Sequence, residues 1–188
     1  MTLSTHTNVL DDVTGTYQLD LAHTRVGFSA RHVLVARVHG WFDSVDGRLH
    51  LDAADPTASS VELTIDAASI RTNNADRDAH LRSPDFFDVE RYPTVTFAST
   101  AITERGRDRY RVVGDLTIKG VTRSVPLNLT YQGSCVDPYG QHRVGLSGAG
   151  ALKRSDWGLT WNQALDAGGV VVSDRIELEL DVSAIKVG

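Results

Sequence analysis

Strict alternation of apolar and polar residues is the feature that most narrows what this chain can become. Between Ser60 and Asp66, Val61, Leu63 and Ile65 alternate with Ser60, Glu62, Thr64 and Asp66. Between Ser124 and Tyr131, Val125, Leu127, Leu129 and Tyr131 alternate with Pro126, Asn128 and Thr130, and between Arg175 and Val182, Ile176, Leu178, Leu180 and Val182 alternate with Glu177, Glu179 and Asp181. A helix repeats every 3.6 residues, whereas a strand sends successive side chains to opposite faces. The spacing therefore specifies strands with one apolar and one wetted face, as in an antiparallel sheet. Pro126 lies on the polar face and cannot donate to a ladder, which points to an edge or a bulge.

Weaker alternation runs through Arg25–Ser29, Val38–Phe42, Gly47–Leu51, Thr94–Ser99, Tyr110–Ile118 and Arg143–Lys153. Merging pieces separated by bends gives about eight long strands in one all-β domain, residues 15–188, behind a flexible tail, residues 1–14. Two segments resist a strand reading, roughly Asn74–Asp88 and Ser155–Ala167, and are expected to be short helical or turn insertions covering an opening. Eight strands with an apolar face close into a barrel or stack as a sandwich. A strand of ten to thirteen residues spans roughly 34–44 Å, and tilted in a barrel it rises roughly 25–35 Å along the axis. The lumen of such a barrel is either filled by its own side chains or holds a ligand. Here the inward candidates include Gly40, Gly114, Gly148 and Gly150 among Val and Leu, a mixture expected to leave room.

Composition removes several classes of function. A net charge of −5 in 188 residues argues against a nucleic-acid backbone as partner, because that binding rests on clustered Lys and Arg. Cys135 is the only cysteine, so no intrachain disulfide can form. The amino terminus lacks the basic and apolar regions of a secretory signal, and the apolar runs are far too short for a transmembrane segment, so a cytoplasmic location is expected. The seven histidines are scattered, and His32 and His39 do not have the spacing of a helical metal pair, so no metal site is expected. His23 or His32 as a haem ligand is a weaker reading than a buried, hydrogen-bonded histidine. Gly145-Leu146-Ser147-Gly148 lacks the second glycine of a nucleophile elbow and sits in a strand pattern.

The stretch RDAHLRSPDFFDVERYP, from Arg77 to Pro93, poses the sharpest question. Loops run over the surface and are usually polar, yet this one places Phe86 and Phe87 among charges. Ser83 precedes Pro84 and should be extended, so a helix starting near Asn74 ends there. One reading has the Phe pair cap an end of the barrel, with the charges in surface ion pairs. The other makes the segment the mouth, with the aromatics on a lipid tail and Arg77, His80 and Arg82 facing a polar head. Trp157 and Trp161 fall in the second insertion, where a lid could sit, and rank above Trp41 as pocket residues.

These pieces resemble the YceI-like family of polyisoprenoid-binding, lipocalin-like proteins. The resemblance rests on Tyr17-Gln18-Leu19-Asp20 with His23 and Phe28, on His32, and on Gly40-Trp41-Phe42. It continues through the run from Asp76 to Asp88, Tyr92-Pro93, Phe97, Gly114 to Thr122, Arg154 to Leu159, and Val172-Ser173-Asp174. It implies an extended eight-stranded antiparallel lipocalin-like barrel around a long apolar chain, often as a homodimer. Two departures stand out. The early motif usually reads Asp-Pro-x-His-Ser, where this chain has Asp20-Leu21-Ala22-His23-Thr24, and Trp157 stands where the family more often has Phe, a bulkier ring that reshapes the pocket. Many relatives are exported, and that role does not carry over to a chain without a visible signal.

The expectation is non-enzymatic binding, storage or transport of a long-chain isoprenoid or similar amphiphilic lipid, with no cofactor and no catalytic residue. Phe28, Phe42, Phe86, Phe87, Phe97 and Trp157 are the candidates for the tail, and Arg77, His80 and Arg82 for the head group. Three alternatives stay open. The same pocket could perform isomerase or cyclase chemistry with Asp78 and His80 as acid and base, it could sequester lipophilic antibiotics or stress metabolites, or the barrel could have a filled lumen and bind a protein partner.

Overall fold

A computed structural model of the chain describes residues 13–33, 35–164 and 171–187. Most of the expected tail, residues 1–12, lies outside the described residues, as do residues 165–167 of the expected second insertion. Every alternating segment forms a strand. These are β1 (Gly15–Leu19), β2 (Arg25–His32), β3 (Ala36–Phe42), β4 (Val45–Leu51), β5 (Ser60–Asp66), β6 (Ile70–Arg71), β7 (Thr94–Glu104), β8 (Arg109–Ile118), β9 (Val121–Val136), β10 (His142–Lys153) and β11 (Val172–Lys186).

The bends that break the pattern are local turns. Asp20 caps a single 3-10 turn at Leu21–His23 by accepting from Ala22 N–H, and β1 and β2 on either side both pair with β11. Asp66 caps a second such turn at Ala67–Ser69 between β5 and β6. Asp43 and Ser44 separate β3 from β4. Counting each bent pair once leaves eight strands that neighbour one another in chain order, and β1, paired with both β4 and β11, closes the ring. A closed barrel has no edge to protect, which decides between barrel and sandwich. Pro126 is therefore not at a barrel edge. It pairs with Val113 of β8 just before the β10 pairing of β9 begins at Leu127, so β10 asks nothing of its missing N–H.

The expected first insertion is α1, Ala75–Arg82, with its ends where the sequence puts them. The Asn74 side chain accepts from Arg77 N–H at the N-cap, Asp76 and Asp78 sit in the first turn, and Ser83 ends the helix ahead of Pro84. Acid at the start and base at the end both suit the helix dipole. The second insertion contains only a 3-10 turn, Arg154–Trp157, among the described residues. Both insertions lie at the end of the barrel that carries the β2–β3 and β8–β9 connections. At the opposite end Arg143 of β10 binds Asp137 (2.7 Å) and Asp20, tying a hairpin turn to the β1–β2 bend. This guanidinium holds the carboxyls of both aspartates below their ordinary range.

Candidate ligand-binding lumen

Inward positions of the strands enclose a row of cavities along the barrel axis. One chamber, of about 170 Å³, lies beneath α1 and the loop after it. The six aromatic residues proposed for a lipid tail, Phe28, Phe42, Phe86, Phe87, Phe97 and Trp157, all stand on its wall. Phe28, Phe42 and Phe87 form one aromatic group, with ring centroids 5.9 and 6.0 Å apart. Trp157 is 2% exposed and donates from Nε1 to the Leu116 carbonyl at 3.1 Å, so its polar atom is satisfied away from the cavity.

Outside this chamber lies a vestibule of about 350 Å³ that shares Phe28, Ala30, Leu81, Phe86 and Val172 with it. Phe86 is buried, and its ring packs tilted against Trp161 (5.4 Å) and at right angles to His80 (5.0 Å). The answer to the question of the Phe pair is thus geometric: both rings turn inward from a surface loop, and Phe86 is part of the partition between vestibule and chamber.

The three proposed head-group residues are placed differently from one another. His80 lines the vestibule and bonds Asp85 through Nε2 at 2.8 Å. Arg77 lines it too, but Nε donates to Thr72 Oγ1 and Nη2 to the Thr72 carbonyl, both at 2.7 Å. Arg82 lines none of these cavities. Its Nε and Nη2 donate to the Ala68 and Ile70 carbonyls at 2.7 and 3.0 Å, so it fastens α1 to the β5–β6 bend. Nor does the proposed acid–base pair assemble: Asp78 is buried and accepts from Thr72 Oγ1, while His80 engages Asp85. Among the described residues no cluster of three His, Cys, Asp or Glu could hold a metal ion, and no helix is long and apolar enough to cross a membrane.

The expectation that inward glycines supply free space is corrected. A Cβ on Gly40 would meet Phe28 Cζ at 2.3 Å, and one on Gly114 would meet Phe97 Cζ at 2.3 Å, so aromatic rings lie directly on these two backbones. Leu129 and Leu127 likewise cover Gly148 and Gly150. The glycines seat large side chains flat against the wall, and the open volume lies beyond those side chains.

Sequence reasoning missed Arg154. It is 7% exposed and, among the described residues, the one charged group on the wall of the inner chamber. Its guanidinium donates to the carbonyls of Leu159 (2.6 Å), Trp161 (2.8 Å), Ser173 (3.0 Å) and Val172 (3.4 Å). Burial lowers its pKa from the ordinary arginine value, and Asp174 acts in the opposite direction. Arg154 therefore fixes the loop carrying Trp161 to the start of β11 and presents no free donor array to the lumen. Leu178, Leu180 and Ile176 also line the chamber, on the inward face that the β11 alternation defined.

Beyond the chamber the lumen narrows to a pocket of about 30 Å³ walled by residues such as Leu63, Phe97, Leu127 and Leu180, all four shared with the chamber. It widens again to about 280 Å³ at the opposite end of the barrel, where Tyr110, Tyr131 and Glu104 appear among apolar neighbours.

A long closed barrel with an oily axial lumen under a short helical cover is a lipocalin-like architecture. The chain belongs to the YceI-like family, whose model matches residues 17–184. It is 37% identical over 164 residues to a UPF0312 protein of Ectopseudomonas mendocina, covering 87% of this chain and 83% of that protein. The crystal structure of Burkholderia cenocepacia BcnA superposes with a TM-score of 0.78 at 25% identity, over 88% of this chain and 98% of that one. A domain from Saccharophagus degradans, described as polyisoprenoid-binding and implicated in plant cell wall breakdown, matches with a TM-score of 0.69 over 93% of this chain and 99% of that one. At 16% identity that likeness is one of fold.

Proposed function

We propose that this protein is a non-enzymatic binder of a long apolar lipid of the isoprenoid type, held along the barrel axis for storage or transport. The observation that carries the reading is the wall of the inner chamber. Apart from Arg154, whose donors face backbone carbonyls, it is lined by apolar side chains and glycine. Such a wall offers burial and little else. Removing about 500 Å² of lipid tail from water contributes roughly 12 kcal/mol gross at about 25 cal/mol per Å², from which association takes back several kcal/mol. Head-group hydrogen bonds, about 0.5–1.5 kcal/mol each, orient the ligand more than they hold it.

Organic extraction of the purified protein followed by mass spectrometry tests this directly, with a stoichiometric long-chain species as the expected result. Phe86→Asp and Phe87→Asp should each lose that species while circular dichroism still reports a folded barrel. An unchanged lipid load in either variant overturns the mouth assignment, and turnover of a candidate lipid by pure protein overturns the non-enzymatic reading.

A further inference from the structure

The far end of the lumen differs in chemistry from the rest. Glu104 of β7 pairs in register with Tyr110 of β8, Tyr131 lies on the next strand, β9, and all three line the 280 Å³ cavity. The corresponding inward positions nearer the middle are apolar: Ile102 on β7, Val112 and Leu116 on β8, Leu127 and Leu129 on β9. Three adjacent strands thus each place a polar side chain on the wall of this one cavity, Tyr131 two residues beyond the Leu129 that pairs with Tyr110. Among the described residues neither tyrosine hydroxyl makes a hydrogen bond, and the Glu104 carboxylate has neither a hydrogen bond nor an ion pair. Asp52 and Ser59, the other polar residues on this wall, are occupied with one another's loop: Asp52 Oδ1 accepts from Ala54 and Asp55, and Ser59 Oγ accepts from Asp52 N–H.

Resting on the lipid-binding reading above, we propose that Tyr110, Tyr131 and Glu104 form the head-group site, and that it takes an uncharged head bearing a hydroxyl or carbonyl. Two phenols offer donors and acceptors and a carboxylate offers an acceptor, which suits an alcohol or ketone oxygen. A phosphate is disfavoured, because among the described residues no lysine or arginine lines this cavity and Glu104 repels an anion. Burial, then Glu104, raises the Tyr110 pKa above the ordinary phenol value, in keeping with a neutral donor. The tail then runs through the narrow pocket toward α1, and the aromatic mouth serves the apolar end of the ligand.

Delipidated protein exposed to an equimolar mixture of phytol, phytane and phytyl phosphate, three C20 chains differing at one end, reads this out by quantifying what is bound. Wild type should prefer phytol over phytane by about 2- to 10-fold for each hydrogen bond made, and should exclude the phosphate. Tyr110→Phe combined with Tyr131→Phe should abolish that preference and leave phytane binding unchanged. Among the described residues the two hydroxyls bond nothing, and circular dichroism of the double variant should match that of wild type. A preference that survives the double Phe variant, or is lost instead in His80→Gln, places the head at the α1 mouth and overturns the assignment alone. Failure of wild type to take up any of the three overturns the lipid-binding reading with it.

Discussion

Gly40→Ala is the smallest change that should separate the fold from its cargo. The added Cβ would lie 2.3 Å from Phe28 Cζ and 2.8 and 2.9 Å from the two Cε atoms. Carbon atoms pack at about 3.5–4.0 Å, so the ring must withdraw by about 1.2 Å or more. All three close atoms belong to the ring and none to backbone, so the strand can stay while the ring swings. It has somewhere to go, because Phe28 borders both the inner chamber and the vestibule. Overpacking costs about 1–3 kcal/mol, and the adjacent open volume sets the low end. At about 2–4 °C per kcal/mol for a chain of this size, Tm should fall by about 2–4 °C, while the lipid load falls because the ring now occupies lumen. Gly114→Ala is the contrast: its Cβ would meet the Ala98 carbonyl oxygen at 2.7 Å as well as the Phe97 ring at 2.3 Å, and backbone cannot swing aside. Its Tm loss should be the larger of the two. Thermal unfolding of delipidated protein and lipid quantification after extraction check both. The reasoning is refuted if Gly40→Ala costs as much in a Phe28→Leu background as in wild type, since a ring that causes the strain must relieve it when removed.

Arg154→Leu strips a donor from four buried or half-buried carbonyls, of which Val172 keeps the Asn162 amide at 2.7 Å; at about 1–3 kcal/mol for each of the other three, differential scanning calorimetry should show Tm lowered by at least about 6 °C. Asp20 and Asp137 have folded-state pKa values below the ordinary carboxylate range, chiefly through Arg143. Their stabilisation is therefore present above about pH 4 and lost as pH falls through the lowered values. Tm measured from pH 6 to pH 2.5 should fall in that window, and Arg143→Gln should flatten the fall. Trp157→Phe removes the indole bond to the Leu116 carbonyl and should cost about 0.5–1.5 kcal/mol in a urea titration, while the smaller ring admits a bulkier tail in the extraction assay.

Much of the architecture was legible because alternation is a local signal. Val61, Leu63 and Ile65 must share a face whatever β5 pairs with, and Asn74 with Ser83-Pro84 marks both ends of α1 from adjacent residues alone. Closure was not legible. It depends on β1 meeting β4 on one side and β11 on the other, contacts between residues far apart in the chain. The glycines show the same division. Their inward direction follows from the pleat, but the rings of Phe28 and Phe97 that cover Gly40 and Gly114 come from neighbouring strands. Charge was the least informative. Arg82, read as a head-group ligand, and Arg154, given no role, look alike in sequence, and only the carbonyls they reach distinguish a backbone staple from a free cation.

Position along the axis is the coordinate that alternation cannot supply, and in this barrel it sorts the chemistry. Tyr131 counted as one more apolar residue at the end of a run with Val125, Leu127 and Leu129, because its ring obeys the same period. Register gives it a height: Leu146 lies opposite it on β10, and Tyr110, on the strand beyond, pairs with Leu129. Tyr110 and Tyr131 border the same cavity as Glu104, whereas nearer the middle the inward residues of these three strands are Ile102, Val112, Leu127 and Leu129. An amphiphile carries its own axial order, one polar end and a long apolar remainder. In the proposed assignment, complementarity between the two orders orients the ligand with its polar end toward Tyr110 and Tyr131, while burial of the tail supplies most of the affinity.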